Sequence, residues 1–221
     1  MDFDLHVIEN GIPLLMKGLI TTIWVCGASL GIGTVLGSVA CLSKLYGNRQ
    51  QRLLANAYVN LFRTVPELVV IFWVYSCLPL FLNVRLSAPI CGLVAMSLYA
   101  GAYLAEIFRA GILAVPRGQT EAGLALGIPT LHIWRAIIIP PALRRMAPAL
   151  MGFLTELIKV SALLSTIAVG DLFYEASLIA AETFRYVEMI SVVAVIYFIM
   201  IFPLSMIARY KERRLRAEIG H

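Results

Sequence analysis

Residues 18–43 contain no Asp, Glu, Lys, Arg or His. Residues 68–84, 86–105 and 189–208 are equally free of them, and 146–170 carries only Glu156 and Lys159. An apolar segment of about 20 residues forms a helix about 30 Å long, which matches the hydrocarbon core of a bilayer. Several such runs in one chain exclude a water-soluble fold. The composition agrees: 60% of the 221 residues are hydrophobic and 14% charged, against about 25% charged in a soluble domain. We therefore expect an all-α membrane protein with five transmembrane helices, near 12–43, 53–80, 86–112, 143–169 and 188–208. The first is too long for one straight crossing and is expected to begin as an interfacial segment near Ile12–Lys17. The second carries Arg63, Pro66 and Glu67 within it. A chain of 221 residues so divided has no room for a separate soluble domain, so residues 1–221 read as a single membrane domain.

The N-terminus opens with Asp2, Asp4 and Glu9 and lacks the basic region of a signal peptide, so the first helix is expected to be retained. Within it, Gly27/Gly31 and Gly33/Gly37 are two small-xxx-small spacings that permit close helix approach, either inside the chain or between chains. Cys26, Cys41, Cys77 and Cys91 form no CxxC pair and read as packing residues.

Lys and Arg set orientation. Loop 44–52, segment 109–145 and the tail from Arg209 to Arg216 hold 13 of the 18 basic residues. The opposite side holds Lys17, Arg85 and Arg185 with seven acids: Asp2, Asp4, Glu9, Asp171, Glu175, Glu182 and Glu188. This predicts an outside N-terminus, a cytoplasmic C-terminus and a cytoplasmic loop over about 113–142. The net charge of +5 thus belongs to membrane orientation and does not point to nucleic acid.

That loop is expected to form two short helices. Thr120 is the expected N-cap of the first, with Glu121 in its first turn, and Gly127 its terminating glycine. Pro129 and Thr130 start the second, which is expected to run through Trp134. Composition leaves two uses open: a linker lying on lipid headgroups, or a docking surface for another protein. Charges within the helices are costly unless paired or wetted. Glu106 and Arg109, three apart on one helix, read as a local ion pair. Arg63 with Glu67, and Glu156 with Lys159, read equally as structural pairs or as contacts along a pathway. His132 reads as a surface residue.

Glu121-Ala122-Gly123, Gly127 and Ile138-Ile139-Pro140 resemble the EAA loop of binding-protein-dependent ABC importer permeases. Gly101-Ala102-Tyr103-Leu104-Ala105-Glu106-Ile107-Phe108-Arg109-Ala110-Gly111-Ile112, Gly118-Gln119 and Phe62-Arg63-Thr64-Val65-Pro66 resemble the polar amino acid branch of that family. Two departures stand out. Gly123 replaces the third alanine of the box, at about 1 kcal/mol of helix propensity, and Lys159-Val160-Ser161-Ala162-Leu163 keeps only the ends of a family segment. The resemblance implies a type I importer (MetI-like) permease fold in a bacterial inner membrane. It also implies alternating access driven by a separate ATPase dimer, a second permease subunit (the same or a similar chain), and a soluble binding protein that delivers an amino acid. In this reading the permease is no enzyme. ATP and Mg belong to the ATPase, and the chain has no GxxxxGK[ST] loop of its own. Glu121, Ala122, Gly123, Leu126 and Gly127 would couple to the ATPase, and Glu156, Glu67, Lys159 and Arg63 would line the substrate pathway. Pro66-Glu67-Leu68 resembles the Pro-acid-Leu variant of histidine, basic amino acid and opine permeases, which favours a basic substrate. The competing reading is an ATPase-independent secondary transporter or channel.

Overall fold

The computed structural model describes residues 5–219, and side chains over 6–213. Asp2, Asp4 and the side chains of Arg214 and Arg216 lie outside these limits. Helices account for nearly all of the described residues, and no strand is found among them.

Helix α1 (Leu5–Tyr46) is one unbroken helix that carries Pro13 inside it. The expected interfacial start near Ile12–Lys17 is therefore not a separate segment. Helix α5 (Ala88–Leu113) lies along α1 because the facing residues are small. A Cβ at Gly33 would come within 2.6 Å of Ala100 Cβ, and one at Gly37 within 2.9 Å of Gly101 O. The Gly33/Gly37 spacing thus serves internal packing, whereas a Cβ on Gly27 or Gly31 would meet nothing within 4 Å.

The expected helix over 53–80 is broken. Helix α2 (Arg49–Thr64) starts at Asn48, whose side chain accepts from Gln51 N–H at 2.9 Å while the Gln51 side chain accepts from Asn48 N–H at 2.9 Å. It stops at Val65, held extended (φ −74°, ψ 132°), because a residue before proline is driven out of the helical region and Pro66 offers no N–H. Helices α3 (Glu67–Ser76) and α4 (Leu78–Leu82) follow, and the chain bends by 108° between Arg49–Thr64 and Glu67–Leu82. Among the described residues four helices are long and apolar enough to cross a membrane, and a fifth crossing is added if this bent pair counts as one.

Helix α6 (Arg117–Ala125) and a turn lead into α7 (Thr130–His132). A π-helical stretch over Ile133–Ile138 then runs without interruption into α8 (Ile139–Ser161). The second short helix therefore does not end near Trp134. The wide π turn, in which Ile139 N–H bonds Trp134 O, accommodates Pro140 and Pro141, which an α-helical ladder would resist. A 3₁₀ stretch (Ala162–Ile167) ends α8. Helix α9 (Leu172–Thr183), which the sequence pattern did not suggest, precedes α10 (Tyr186–Ile219).

The main core joins α1, α3, α5 and α8 through Val25, Ile71, Met96, Leu104 and Leu157, with Leu164 from the 3₁₀ stretch. A second core sets α9 between α1 and α10 through Leu15, Leu172, Ile179 and Met189. Cys26, Cys41 and Cys91 are buried as free thiols and Cys77 is half-buried. Only 6% of the apolar stretch of α10 is buried within this chain.

Candidate functional site: a surface loop and an intramembrane charge cluster

The loop between α5 and α8 is a folded element. Helix α6 begins after Pro116, four residues earlier than expected. Thr120 is therefore inside the helix and caps nothing, and Glu121 lies beyond the first turn. Proline explains the shift: its fixed φ suits a helix start and its missing N–H costs nothing there. At the other end Gly127 takes φ +70°. Gly127 N–H bonds Leu124 O at 3.0 Å and Ile128 N–H bonds Gly123 O at 3.0 Å, the paired bonds of a Schellman termination. Gly127 is thus the terminating glycine that the sequence indicated.

Gly123 is the one buried residue of α6. A Cβ there would lie 3.2 Å from Ile133 and 3.3 Å from Ile137, so glycine lets α6 rest directly on the π stretch. The helix propensity it forgoes is exchanged for close packing. Beneath it, Val115, Ile133, Ile138, Ala142 and Met146 form a small core, and Arg145 donates to Ala114 O at the end of α5. Trp134 meets Tyr46, at the end of α1, edge-on at 5.6 Å. On the outer side Glu121, Ala122, Leu124 and Gly127 are exposed, and Leu126 is 79% exposed. His132 is exposed as well.

The intramembrane charges fall into two groups. Glu106 on α5 accepts from Arg109 Nε at 3.0 Å and Nη2 at 2.8 Å, as the spacing indicated, and also pairs with Lys44 of α1. Sequence reasoning placed Lys44 in a loop; the length of α1 carries it to α5. The second group surrounds three aromatic rings. Tyr99 and Tyr103 of α5 lie 4.6 Å apart, and Tyr103 stacks on Phe153 of α8 at 5.6 Å. Arg63, at the end of α2, holds its guanidinium 5.2 Å from the Tyr103 ring centre, a cation–π distance. Arg63 forms no ion pair with Glu67 within 4.0 Å, and its contact is this ring. Glu67 is half-buried at the start of α3. Glu156 pairs with Lys159 at 3.4 Å, the two side chains being 51% and 56% exposed. Both carboxylates, Glu67 and Glu156, lie within electrostatic reach of Tyr99.

The break at Pro66 and the packing of α5 on α8 thus bring Arg63 onto the Tyr103 ring and Glu67 and Glu156 within electrostatic reach of Tyr99, while Lys159 is held by Glu156. A cleft of about 430 Å³ runs from Arg63 and Tyr103 past Glu106 to Ala114 and Arg145, where the loop begins. The rings were missed in the sequence. Their signal was a pair of tyrosines four apart, on one face of an otherwise aliphatic helix.

Comparison with known proteins agrees with this architecture. Residues 12–217 match the model of the family described as binding-protein-dependent transport system inner membrane component. The glutamine transport system permease protein GlnP of Escherichia coli is 36% identical over 98% of this chain and 99% of its own length. The arginine transport system permease protein ArtQ of Bacillus subtilis is 33% identical over 98% of this chain and 99% of its own length. A crystal structure of an amino acid ABC transporter solved with histidines superposes with a TM-score of 0.86 at 33% identity, covering 97% of this chain and all of that one. A methionine ABC transporter in an inward-facing conformation shares the fold at a TM-score of 0.70 and 21% identity, over 92% of this chain and 98% of its own. These matches set aside the ATPase-independent reading. The chain belongs to the family of binding-protein-dependent transport system inner membrane components and is the permease subunit of an amino acid ABC importer.

Proposed function

We propose that this permease carries polar amino acids with a preference for cationic ones, and that Glu67, Glu156, Arg63 and Lys159 line the pathway. The observation that carries this reading is that two carboxylates, from α3 and α8, lie within electrostatic reach of Tyr99, whose ring packs against Tyr103 and through it Phe153. A cationic side chain is stabilised over an aromatic face and beside a carboxylate. Arg63 already sits over Tyr103, and a substrate guanidinium or ammonium would take a similar place. The relatives named above carry arginine or glutamine, so both charge classes occur among them.

In the same proposal residues 1–221 act as one membrane domain, with the N-terminus outside and the C-terminus and the loop over about 113–142 in the cytoplasm. A second permease subunit, the same or a similar chain, completes the pathway in the bilayer. A soluble binding protein delivers substrate from outside. An ATPase dimer, which binds ATP and Mg, docks on the exposed Glu121, Ala122, Leu126 and Gly127, and the buried Gly123 couples this surface to the π stretch beneath it. The exposed Leu124 and Leu126 at the end of α6, its Schellman turn and its seat on Ile133 support this assignment. A rigid element fixed to the ends of α1, α5 and α8 transmits displacement to the helices around the ring cluster. The family's alternating access then consists of two packings of similar energy whose populations the partners shift.

The test is uptake by the reconstituted importer with saturating binding protein. Glu156→Gln and, separately, Glu67→Gln keep shape and remove charge. A contact residue lowers uptake of cationic substrates more than neutral ones. Wild-type uptake of both classes by both variants refutes the assignment and leaves selection to the binding protein.

A further inference from the structure

Where α8 gives way to α9, the chain passes through Ala168 (φ +58°) and Gly170 into Asp171, the N-cap of α9. This turn is pressed against α1. A Cβ at Gly18 would lie 2.8 Å from Asp171 O, and Leu172 N–H donates to Thr22 Oγ1 at 3.1 Å. Asp171 is 1% exposed. Its Oδ1 accepts from Tyr174 N–H at 2.8 Å, as capping requires, but Oδ2 is buried without a hydrogen-bond partner. The Tyr197 hydroxyl of α10 is buried nearby. It lies within electrostatic reach of Asp171 and faces Thr22 of α1 and Ser161 of α8.

The groups that face Asp171 are Cys26 from α1, Glu175 from α9 and Tyr197 from α10. The charged one among them is an acid. Glu175 is itself buried, and a Cβ on Gly170 would lie 3.0 Å from its Oε1. A second carboxylate beside a buried one raises the cost of ionising it, and no cation of the described residues acts on this group to offset that cost. A proton on Oδ2 removes the charge of a buried carboxylate oxygen that has no hydrogen-bond donor to stabilise it.

We propose that Asp171 is a proton-binding site of this importer, carrying a proton on Oδ2 in mildly acidic solution, and that losing the proton loosens the joint holding α9 against α1. Burial pushes the Asp171 carboxyl from its ordinary value of 3.8 up to about 7, with Glu175 adding to the rise against the backbone N–H bonds. The folded protein then binds this proton more tightly than the unfolded chain does. Its stability falls as pH rises from about 4 to about 7 and levels off above.

Infrared difference spectra of the purified importer in lipid vesicles test the site directly. Wild type shows the carbonyl stretch of an un-ionised carboxylic acid, which fades as pH rises through about 7. Asp171→Asn lacks that band. Glu175→Gln removes the neighbouring acid and shifts the fading to lower pH. The thermal unfolding midpoint of wild type falls by several degrees between about pH 5 and about pH 8, and that of Asp171→Asn does not follow it. Identical spectra for wild type and Asp171→Asn, or parallel stability profiles, overturn the proposal. If Asp171→Asn does not assemble, the wild-type titration and its shift in Glu175→Gln decide alone, and an unshifted band overturns it.

Discussion

Glu106→Gln is expected to destabilise the permease by leaving two cations without their anion. Lys44 and Glu106 are 12% and 17% exposed, and Arg109 is 35% exposed. Removing one partner from a buried pair costs about 3–5 kcal/mol, mostly from the charge left behind. Arg109 is partly wetted and glutamine still accepts one hydrogen bond, so the expected loss lies nearer 2–4 kcal/mol. For a chain of this length that corresponds to a fall of about 4–16 °C in the unfolding midpoint. The assay is thermal unfolding of the purified importer for wild type, Glu106→Gln, Lys44→Met and the double variant. Lys44→Met is expected to be much less harmful in the Glu106→Gln background, because the orphaned cation is then gone. Unchanged stability in Glu106→Gln, or additive losses in the double variant, would refute the staple between α1 and α5.

Gly33→Ala with Gly37→Ala pushes α1 off α5 and is expected to lower stability, because overpacking costs about 1–3 kcal/mol per site. Gly27→Ala with Gly31→Ala meets open space within the chain and is expected to leave the subunit's fold intact, as measured by protease resistance in membranes. Gly127→Val places a β-branched residue at φ +70°, a strain of about 1–2 kcal/mol. It is expected to lower transport per ATP hydrolysed, while membrane insertion stays at wild-type level by immunoblot.

The apolar runs made the main crossings legible, because a bilayer leaves few options for an uncharged segment longer than about 20 residues. Gly127 was legible for a similar reason: a left-handed turn after a short helix selects glycine. Thr120 was misread because two N-cap signals compete there, and Pro116, which fixes the backbone, prevailed over a side-chain cap. The π stretch before Pro140-Pro141 leaves no periodicity in the sequence, so the long α8 assembly looked like two pieces. Lys44 and Asp171 illustrate a different limit. Local spacing identifies pairs three or four apart on one helix, such as Glu106 with Arg109. Partners brought in by another helix, at a separation of 62 residues for Lys44 and Glu106, depend on how the helices pack. The convergence of Glu67 and Glu156 on the Tyr99 ring belongs to the same class.

In the proposed function the loop over α6 faces the cytoplasm and receives the ATPase. Leu126, 79% exposed beside the Schellman turn, is the position to probe. A Leu126→Cys permease is expressed with and without its ATPase subunit and treated with a membrane-impermeant maleimide in right-side-out and inside-out vesicles. We expect labelling only in inside-out vesicles, and strong protection when the ATPase is bound. Labelling from the outside would contradict the proposed topology, and equal labelling with and without the ATPase would contradict docking at this turn.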